Sequence, residues 1–187
     1  MRKLFLLIFL VIAWPVMADV KEKQTDYIYY TANADPSLSL TDILNASSPI
    51  RENGKIFFGY TKWDIKWNYN WYEKPNVRCK LTRVTVDFSS SIQLPKLSGG
   101  SSKQRNKFDK FLSALRTHEL GHYKMGKDAA TAIDRKISSL PEMSSCKELG
   151  SVANKTGDRI LNEYRKKEKQ YDVSTSHGKT QGAWLEN

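Results

Sequence analysis

The sequence contains only two cysteines, Cys79 and Cys146. Their wide separation along the chain argues against a zinc knuckle or a redox-active C-x-x-C site, because both need closely spaced cysteines. In an oxidising compartment, an even pair of cysteines is most simply explained as one disulfide. The sequence therefore predicts a bond between Cys79 and Cys146.

Long hydrophobic runs are absent after the N-terminus, where MRKLFLLIFLVIAWPVMADV combines the basic Arg2 and Lys3 with an apolar run over residues 4–14. This run is short for a bilayer-spanning helix, which needs about 20 apolar residues. Small residues precede Asp19, as they do at signal peptidase sites. We interpret residues 1–18 as a signal peptide, with an uncleaved anchor as the alternative. The mature chain is then expected to be secreted or periplasmic, without a stable membrane anchor.

The sequence also lacks nucleic-acid-binding motifs, internal repeats and low-complexity tracts. Removal of Arg2 and Lys3 with the signal peptide lowers the formal net charge from +10 to +8. This surplus either favours an anionic partner, such as a cell-envelope component, or is the ordinary basicity of many secreted proteins. Residues 19–187 are enough for one domain with a hydrophobic core. We expect no nucleic-acid partner, and the oligomeric state is left open.

The first half of the mature chain, residues 19–97, is rich in aromatic and β-branched residues and is expected to form mainly strands. Trp63, Trp67 and Trp71 recur every four residues, which fits a helical stripe, but the alternation of the residues between them favours a strand. A turn is predicted over 72–77, where Pro75 and Asn76 occur. The predicted elements are strands over 26–31, 55–71 and 79–94, and a short helix over 39–44.

Residues 102–172 are expected to be helical. Apolar residues at steps of three and four predict one long helix over about 103–139, which Pro141 ends. A second helix is predicted over about 146–170, and residues 173–187 are expected to form a C-terminal loop. The sequence therefore predicts an α+β domain in which a small antiparallel sheet packs against two long helices.

The stretch Thr-His-Glu-Leu-Gly-His, residues 117–122, contains the H-E-x-x-H pattern. Residues four apart on a helix differ by about 40° around its axis, so His118 and His122 can present two imidazoles to one ion. Glu119 lies beside that face and can reach a water bound to the metal. This arrangement is typical of zinc hydrolases in which the glutamate is the general base. A chance match on an amphipathic helix is the alternative.

A catalytic zinc site usually has three protein ligands and one open position, so a third ligand is required. Asp128 lies about 120° from His122 around an unbroken helix and is poorly placed. Glu163 would correspond to a glutamate contributed by the second helix. The third histidine of the chain, His177, lies in the C-terminal tail. Residue spacing alone leaves these candidates open.

Two motifs and the cysteine pair resemble a known family, the predicted secreted zinc-dependent proteases of domain of unknown function 922. The motifs are R-T-H-E-L-G-H at 116–122 and Y-D-x-x-T-x-H-G, which is filled by Tyr171, Asp172, Thr175, His177 and Gly178. The resemblance implies that His177 is the third zinc ligand, with Glu163 and Asp172 as alternatives. It also implies that Asp172 orients a histidine and that Tyr171 donates a hydrogen bond to the developing oxyanion.

These observations together predict a secreted zinc metallopeptidase with a zincin-like active-site helix. Its expected zinc ligands are His118, His122 and His177, its catalytic residues are Glu119 and Tyr171, and its partner is a protein or peptide substrate. A cell-envelope component is the other candidate partner. The alternatives are a noncatalytic zinc-stabilised envelope-binding protein or adhesin, and a peptidoglycan amidase or endopeptidase, which uses the same zinc chemistry.

Overall fold

The computed structural model describes residues 19–73 and 78–185. The predicted signal peptide and the tip of the predicted turn, 74–77, lie outside the described residues. None of the described helices combines the length and the hydropathy needed to cross a membrane. The elements are β1 (Val20–Glu22), β2 (Asp26–Asn33), α1 (Leu40–Ser47), β3 (Arg51–Glu52), β4 (Lys55–Ile56), β5 (Tyr60–Tyr72), β6 (Lys80–Ser98), α2 (Ser102–Ser138), α3 (Cys146–Thr175) and a 3₁₀ helix (Lys179–Gln181).

The main sheet is organised around β6. Strand β5 pairs with β6 in antiparallel register, whereas β1 and β2 pair with it in parallel, one after the other along the opposite edge. The fold is therefore α+β as predicted, but the sheet is mixed, and the prediction of an antiparallel sheet was wrong. The chain between β2 and β6 contains α1, a small hairpin of β3 and β4, and β5, and this long connection returns β6 in the same direction as β2.

Alternating residues of β5 and β6 turn one face of the sheet towards the long helices. On β6 the inward positions from Val84 to Leu94 are buried, and they pack against the apolar stripe of α2. On β5 the inward positions include Trp63 and Trp67, while the intervening lysines, Asp64 and asparagines face solvent. The tryptophans therefore lie on a strand, as their alternation predicted. The helices cover a single continuous face of the sheet.

Helix α2 has the start and end that its sequence predicts. Ser101 and Gln104 form a capping box, in which the Ser101 hydroxyl accepts from the Gln104 N–H at 3.2 Å. The helix ends at Ser138, shortly before Pro141. Because the apolar stripe continues through the H-E-x-x-H stretch, both histidines of that stretch are buried.

Helix α3 is longer than predicted. It runs to Thr175, and the expected C-terminal loop also contains the 3₁₀ helix Lys179–Gln181. Tyr171 and Asp172 are therefore helical residues. The start of α3 is joined to the strand region by a disulfide between Cys79 and Cys146, as predicted.

Candidate metal centre

The H-E-x-x-H stretch brings two histidines together on the buried face of α2. His118 and His122 are 4% and 8% exposed, and their ring centroids lie 4.9 Å apart. One helical turn separates them, so both rings face α3 across the helix pair. The helix thus presents two imidazoles to a single point, as their spacing predicted.

Asp172 of α3 meets both histidines at that point. Its Oδ1 atom lies 3.2 Å from Nε2 of His118 and 3.0 Å from Nε2 of His122. In the described part of the chain, these three residues form a group whose ligand atoms all lie within 4.8 Å of one another. The group is built from opposite helices, which are held together by the packing of α2 on α3.

The remaining ring nitrogen of each histidine has its own acceptor. Nδ1 of His118 lies 2.9 Å from Oε1 of Gln181, and Nδ1 of His122 lies 3.3 Å from Oε1 of Glu168. Glu168 also accepts a hydrogen bond from Nε1 of Trp63 at 2.7 Å. These partners fix both rings so that the two Nε2 atoms point at Asp172, which is how metal-binding histidines are usually oriented.

The electrostatics of the group favour a positive charge between the three residues. Burial lowers the pKa of His122, but hydrogen bonds to Asp172 and Glu168 outweigh burial and raise it to about 9. Burial raises the pKa of Asp172, but hydrogen bonds from His118 and His122 outweigh it and hold that pKa well below its usual range. In the metal-free protein, the raised pKa of His122 favours its protonated form, which supplies the positive charge. A metal cation would replace that proton.

Two of the three distances between the donor atoms also fit a small tetrahedral cation. Ligands at about 2.0 Å from a tetrahedral ion lie about 3.3 Å from one another. The two distances from Asp172 Oδ1 to the histidine nitrogens, 3.2 and 3.0 Å, are close to this value. Two imidazoles and a carboxylate are a donor set that zinc accepts. The residues present therefore fit a metal of this kind.

Glu119 lies beside the metal group and is almost completely buried, at 4% exposure. Its Oε2 atom accepts a hydrogen bond from the Thr61 hydroxyl at 2.7 Å. Burial raises the pKa of Glu119, and the Thr61 hydrogen bond offsets this only in part. A Cβ atom at Gly59 would lie 2.5 Å from Oε1, so the carboxylate rests against bare backbone at the start of β5.

The Y-D-x-x-T-x-H-G residues end α3 and return the chain beneath His118. The Thr175 hydroxyl donates to the Tyr171 carbonyl at 2.8 Å and accepts from the Gly178 N–H at 3.2 Å. Gly178 has a φ of 83°, and a Cβ atom there would lie 2.9 Å from the His118 ring. Only glycine suits both the backbone conformation and the close approach. This return brings Gln181 to His118.

Tyr171 lies on the other side of the His118 ring and stacks on it at 5.0 Å and 12°. Its hydroxyl donates to the His118 carbonyl at 3.2 Å and also contacts the side-chain amide of Gln181. A Cβ atom at Gly121 would lie 2.2 Å from this hydroxyl. The tyrosine is therefore wedged against α2, and its hydroxyl is already used in holding His118.

Besides Asp172, the other three candidates for the third ligand occupy different places. His177 lines the pocket, half exposed, with its Nδ1 atom 3.6 Å from Asp172 Oδ1 and its ring against Phe57. Glu163 forms a surface ion pair with Arg159. Asp128 pairs with Lys124 on the exposed face of α2. Asp172 and His177 are thus the candidates that the fold brings to the histidines.

The metal group opens into a pocket of about 510 Å³. Its walls are residues 56–61 ahead of and at the start of β5, the H-E-x-x-H turn of α2, the last turns of α3 and the chain after it. Arg165 and Lys169 line the α3 side. The site is therefore accessible to a ligand from solvent although its histidines are buried.

Three contributors were not found from the sequence: Glu168, Thr61 and Gln181. Glu168 and Asp172 are four residues apart on α3 and repeat the spacing of the two histidines, a signal that could have been used. Thr61 and Gln181 belong to segments far from the motif in sequence, and only the packing of those segments brings them to it.

Comparison with known proteins gives one result. Residues 27–178 match the family model described as "Bacterial protein of unknown function (DUF922)". No curated protein and no solved structure matches the chain. The matched region covers most of the chain and includes both the H-E-x-x-H turn and the end of α3. The chain therefore belongs to the DUF922 family of bacterial proteins.

Proposed function

We propose that the protein is an exported zinc metallopeptidase that hydrolyses peptide bonds in the pocket between α2, α3 and the start of β5. The observation that carries this proposal is the convergence of His118, His122 and Asp172 on one point, with the buried carboxylate of Glu119 beside it in an open pocket. The signal-like N-terminus and the disulfide support export.

The donor set supports zinc. Two imidazoles and one carboxylate are the ligands of a well-known class of catalytic zinc sites, which leave the fourth position to water. Bound there, zinc supplies a water of lowered pKa and polarises a substrate carbonyl. The same donor set also suits non-haem iron. The buried Glu119 favours the hydrolytic assignment, because a peptidase needs a general base at this place.

In this proposal, Glu119 takes the proton of the attacking water and passes it to the leaving amine. Its raised pKa suits a group that both accepts and releases a proton. The Thr61 hydroxyl holds Oε2, and Gly59 leaves room for Oε1. Thr61 of β5 and Gly59 just before that strand therefore position the base.

Tyr171 is assigned a different role from the one expected from the resemblance. Its hydroxyl is hydrogen-bonded to the His118 carbonyl and to Gln181, and its ring stacks on His118. These contacts support a positioning role for Tyr171. In the same way, we assign the third ligand to Asp172, and His177 to the wall of the pocket.

The proposal is tested with Glu119→Gln, which removes the base and keeps the size of the side chain. The variant should retain zinc, measured by elemental analysis, and lose about 10²- to 10⁴-fold in turnover of a responsive member of a peptide library. Glu163→Gln is the matched control, because it makes the same chemical change on the exposed face of α3. It should leave both zinc content and turnover unchanged.

Four results would count against this proposal. Equal turnover in wild type and Glu119→Gln would remove the base from the mechanism. Full zinc occupancy with no cleavage of any library peptide would leave a structural zinc site, and activity on peptidoglycan alone would reassign the enzyme to an amidase or endopeptidase. Iron at full occupancy would replace the zinc assignment.

A further inference from the structure

The pocket beside the metal group has a basic wall, formed by Arg165 and Lys169 of α3. Both residues line the pocket, and both are exposed to solvent. In the described part of the chain, neither of them has an ion-pair partner. Both positive charges are therefore available to a ligand that enters the pocket.

Helical geometry puts the basic wall on the face of α3 that carries Asp172. Successive residues of an α-helix differ by about 100° around its axis, so Arg165 lies about 20° and Lys169 about 60° from Asp172. Lys166 and Lys167 lie about 120° and 140° from Asp172, and neither of them lines the pocket. The helix thus turns two cations of the run R-K-K-E-K towards the site and the other two away from it.

The acids closest in sequence to the basic wall are already engaged. Glu168 lies 3.3 Å from Nδ1 of His122, and Asp172 meets both histidines. Among the described residues that line the pocket, the one further acid besides Glu119 is Glu52 of β3. Away from the metal group, the lining therefore carries two cations and one acid, and its net charge is positive.

Much of the remaining lining is apolar. It includes Ile56, Phe57, Phe58, Leu115, Ala183 and Trp184. Charges attract one another more strongly beside apolar groups than in open water, because the local dielectric is lower. An anionic group that enters the pocket is therefore attracted to the basic wall, whereas a cationic group is repelled.

We propose that the basic wall selects peptides that carry an acidic side chain near the scissile bond, an assignment that rests on the proposed peptidase function. Along the axis of α3, Lys169 and Arg165 lie about 4.5 and 10.5 Å from Asp172, because the helix rises about 1.5 Å per residue. An extended peptide advances about 3.3 Å per residue. The acidic residue is therefore expected within about three residues of the bond that is cleaved.

Two pools of octapeptides test this preference. The pools are randomised identically, except that every Glu of one pool is Gln in the other, so the comparison changes charge at nearly constant size. The zinc-loaded protein should cleave the Glu pool with a kcat/KM about tenfold higher, as expected for two ion pairs at a pocket surface. Mass spectra of the products should show Glu enriched within about three residues of the cleaved bond.

Two double variants assign the preference to the basic wall. Arg165→Gln/Lys169→Gln should bring the ratio of the two kcat/KM values close to one, because it removes both charges from the pocket. Lys166→Gln/Lys167→Gln is the matched control, since it removes the same charge from the other side of α3. This control should keep the wild-type ratio.

Equal cleavage of the two pools, or a preference that survives in Arg165→Gln/Lys169→Gln, would overturn the basic wall and leave the peptidase intact. If neither pool is cleaved, the peptidase fails, and binding decides the role of the basic wall separately. By fluorescence anisotropy, a fluorescein-labelled Glu pool should bind the metal-free protein about tenfold more tightly than the labelled Gln pool. The difference should vanish in Arg165→Gln/Lys169→Gln, and equal binding of both pools to the wild type would refute the selection of acidic peptides.

Discussion

The close contact between a tryptophan of β5 and a glycine of α2 predicts that replacing this helical glycine by alanine lowers the stability of the fold. Gly126 of α2 lies under the ring of Trp63, and an added Cβ atom would lie 2.5 Å from Cγ and 2.8 Å from Cδ1 and Cδ2. Carbon atoms in contact normally lie about 3.5 to 4.0 Å apart. The ring cannot easily move away, because its Nε1 atom donates a hydrogen bond to Glu168 and the backbone of Trp63 pairs with β6.

Gly126→Ala therefore sets two effects against each other. Alanine is favoured over glycine inside a helix by about 0.8 to 1.0 kcal/mol. Overpacking of a filled core costs about 1 to 3 kcal/mol, and an overlap of about 1 Å with a rigid ring belongs at the upper end. The clash should win, with a net loss of about 2 kcal/mol. For a chain of this size the Tm should fall by about 4 to 8 °C.

The chain offers a matched control in Gly150 of α3. A Cβ atom there would lie 3.3 Å from the Tyr69 hydroxyl and 3.6 Å from Trp71, distances that small shifts can relieve. Gly150→Ala should therefore leave the stability unchanged or raise it by up to about 1 kcal/mol. Gly157→Ala, at 2.6 Å from the Trp67 ring, should resemble Gly126→Ala.

Urea unfolding of the three variants and the wild type, all freed of metal with a chelator, gives the free energies directly. The chelator is needed because metal binding to the folded state would add its own stabilisation. If Gly126→Ala were as stable as Gly150→Ala, the packing of Trp63 on α2 would be wrong, and with it the contact that holds Glu168 in place.

Three further predictions concern the metal centre. Asp172→Asn should severely lower the zinc affinity measured by chelator competition, whereas His177→Ala should retain zinc at a stoichiometry near one. Loss of zinc in His177→Ala but not in Asp172→Asn would restore His177 as the third ligand. Glu168→Gln should lower the zinc affinity about 10- to 100-fold, because it weakens the hydrogen-bond acceptor of His122 Nδ1. Glu163→Gln should leave the affinity unchanged, and equal affinities in the two variants would contradict the role of Glu168. In the metal-free protein, the free energy of unfolding should fall as the pH rises from about 6.5 through about 9, because His122, with its pKa raised to about 9, then loses the proton that its carboxylate partners stabilise. Saturating zinc should abolish most of that slope, because neither the zinc-bound folded state nor the unfolded state then holds the proton above about pH 6.5. Urea titrations at several pH values, with and without zinc, would show the difference.

The strands and helices were largely predictable because each carries its own periodicity. The alternation around Trp63 and Trp67 identified β5, and the steps of three and four identified α2. The direction in which strands pair is not encoded in that alternation, because both parallel and antiparallel strands bury every second residue. Strand β6 also continues past Pro95 to Ser98, whereas the predicted strand ended at residue 94. Its pairing with β5 stops at Gln93, so a missing N–H at Pro95 disturbs no bond on that edge.

The site was predictable only where one helix determines it. His118, Glu119 and His122 lie within a single turn of α2, and helical spacing alone brings the two histidines together. A partner on another helix depends on how the two helices meet. Glu163 and Glu168 are five residues apart, which places them about 140° apart around the axis of α3. Predicting which of them reaches the histidines therefore requires knowing which face of α3 packs against α2. Residue spacing on α2 alone does not decide which face of α3 is packed.

The spacing of the acidic residues on α3 does indicate which of its faces meets the histidines. Glu168 and Asp172 are four residues apart, as are His118 and His122, so two i, i+4 pairs of opposite chemistry face each other across the helix pair. The sequence prediction ended the second helix at about residue 170, so Asp172 fell beyond its last regular turn and the repetition was hidden. The helix in fact continues to Thr175, whose hydroxyl donates to the Tyr171 carbonyl, and left-handed Ser176, His177 and Gly178 then reverse the chain. The residues that end the helix thus follow directly on Asp172, the residue that meets both histidines. An acidic i, i+4 pair ahead of T-x-H-G is therefore the pattern to seek beside H-E-x-x-H in other members of this family.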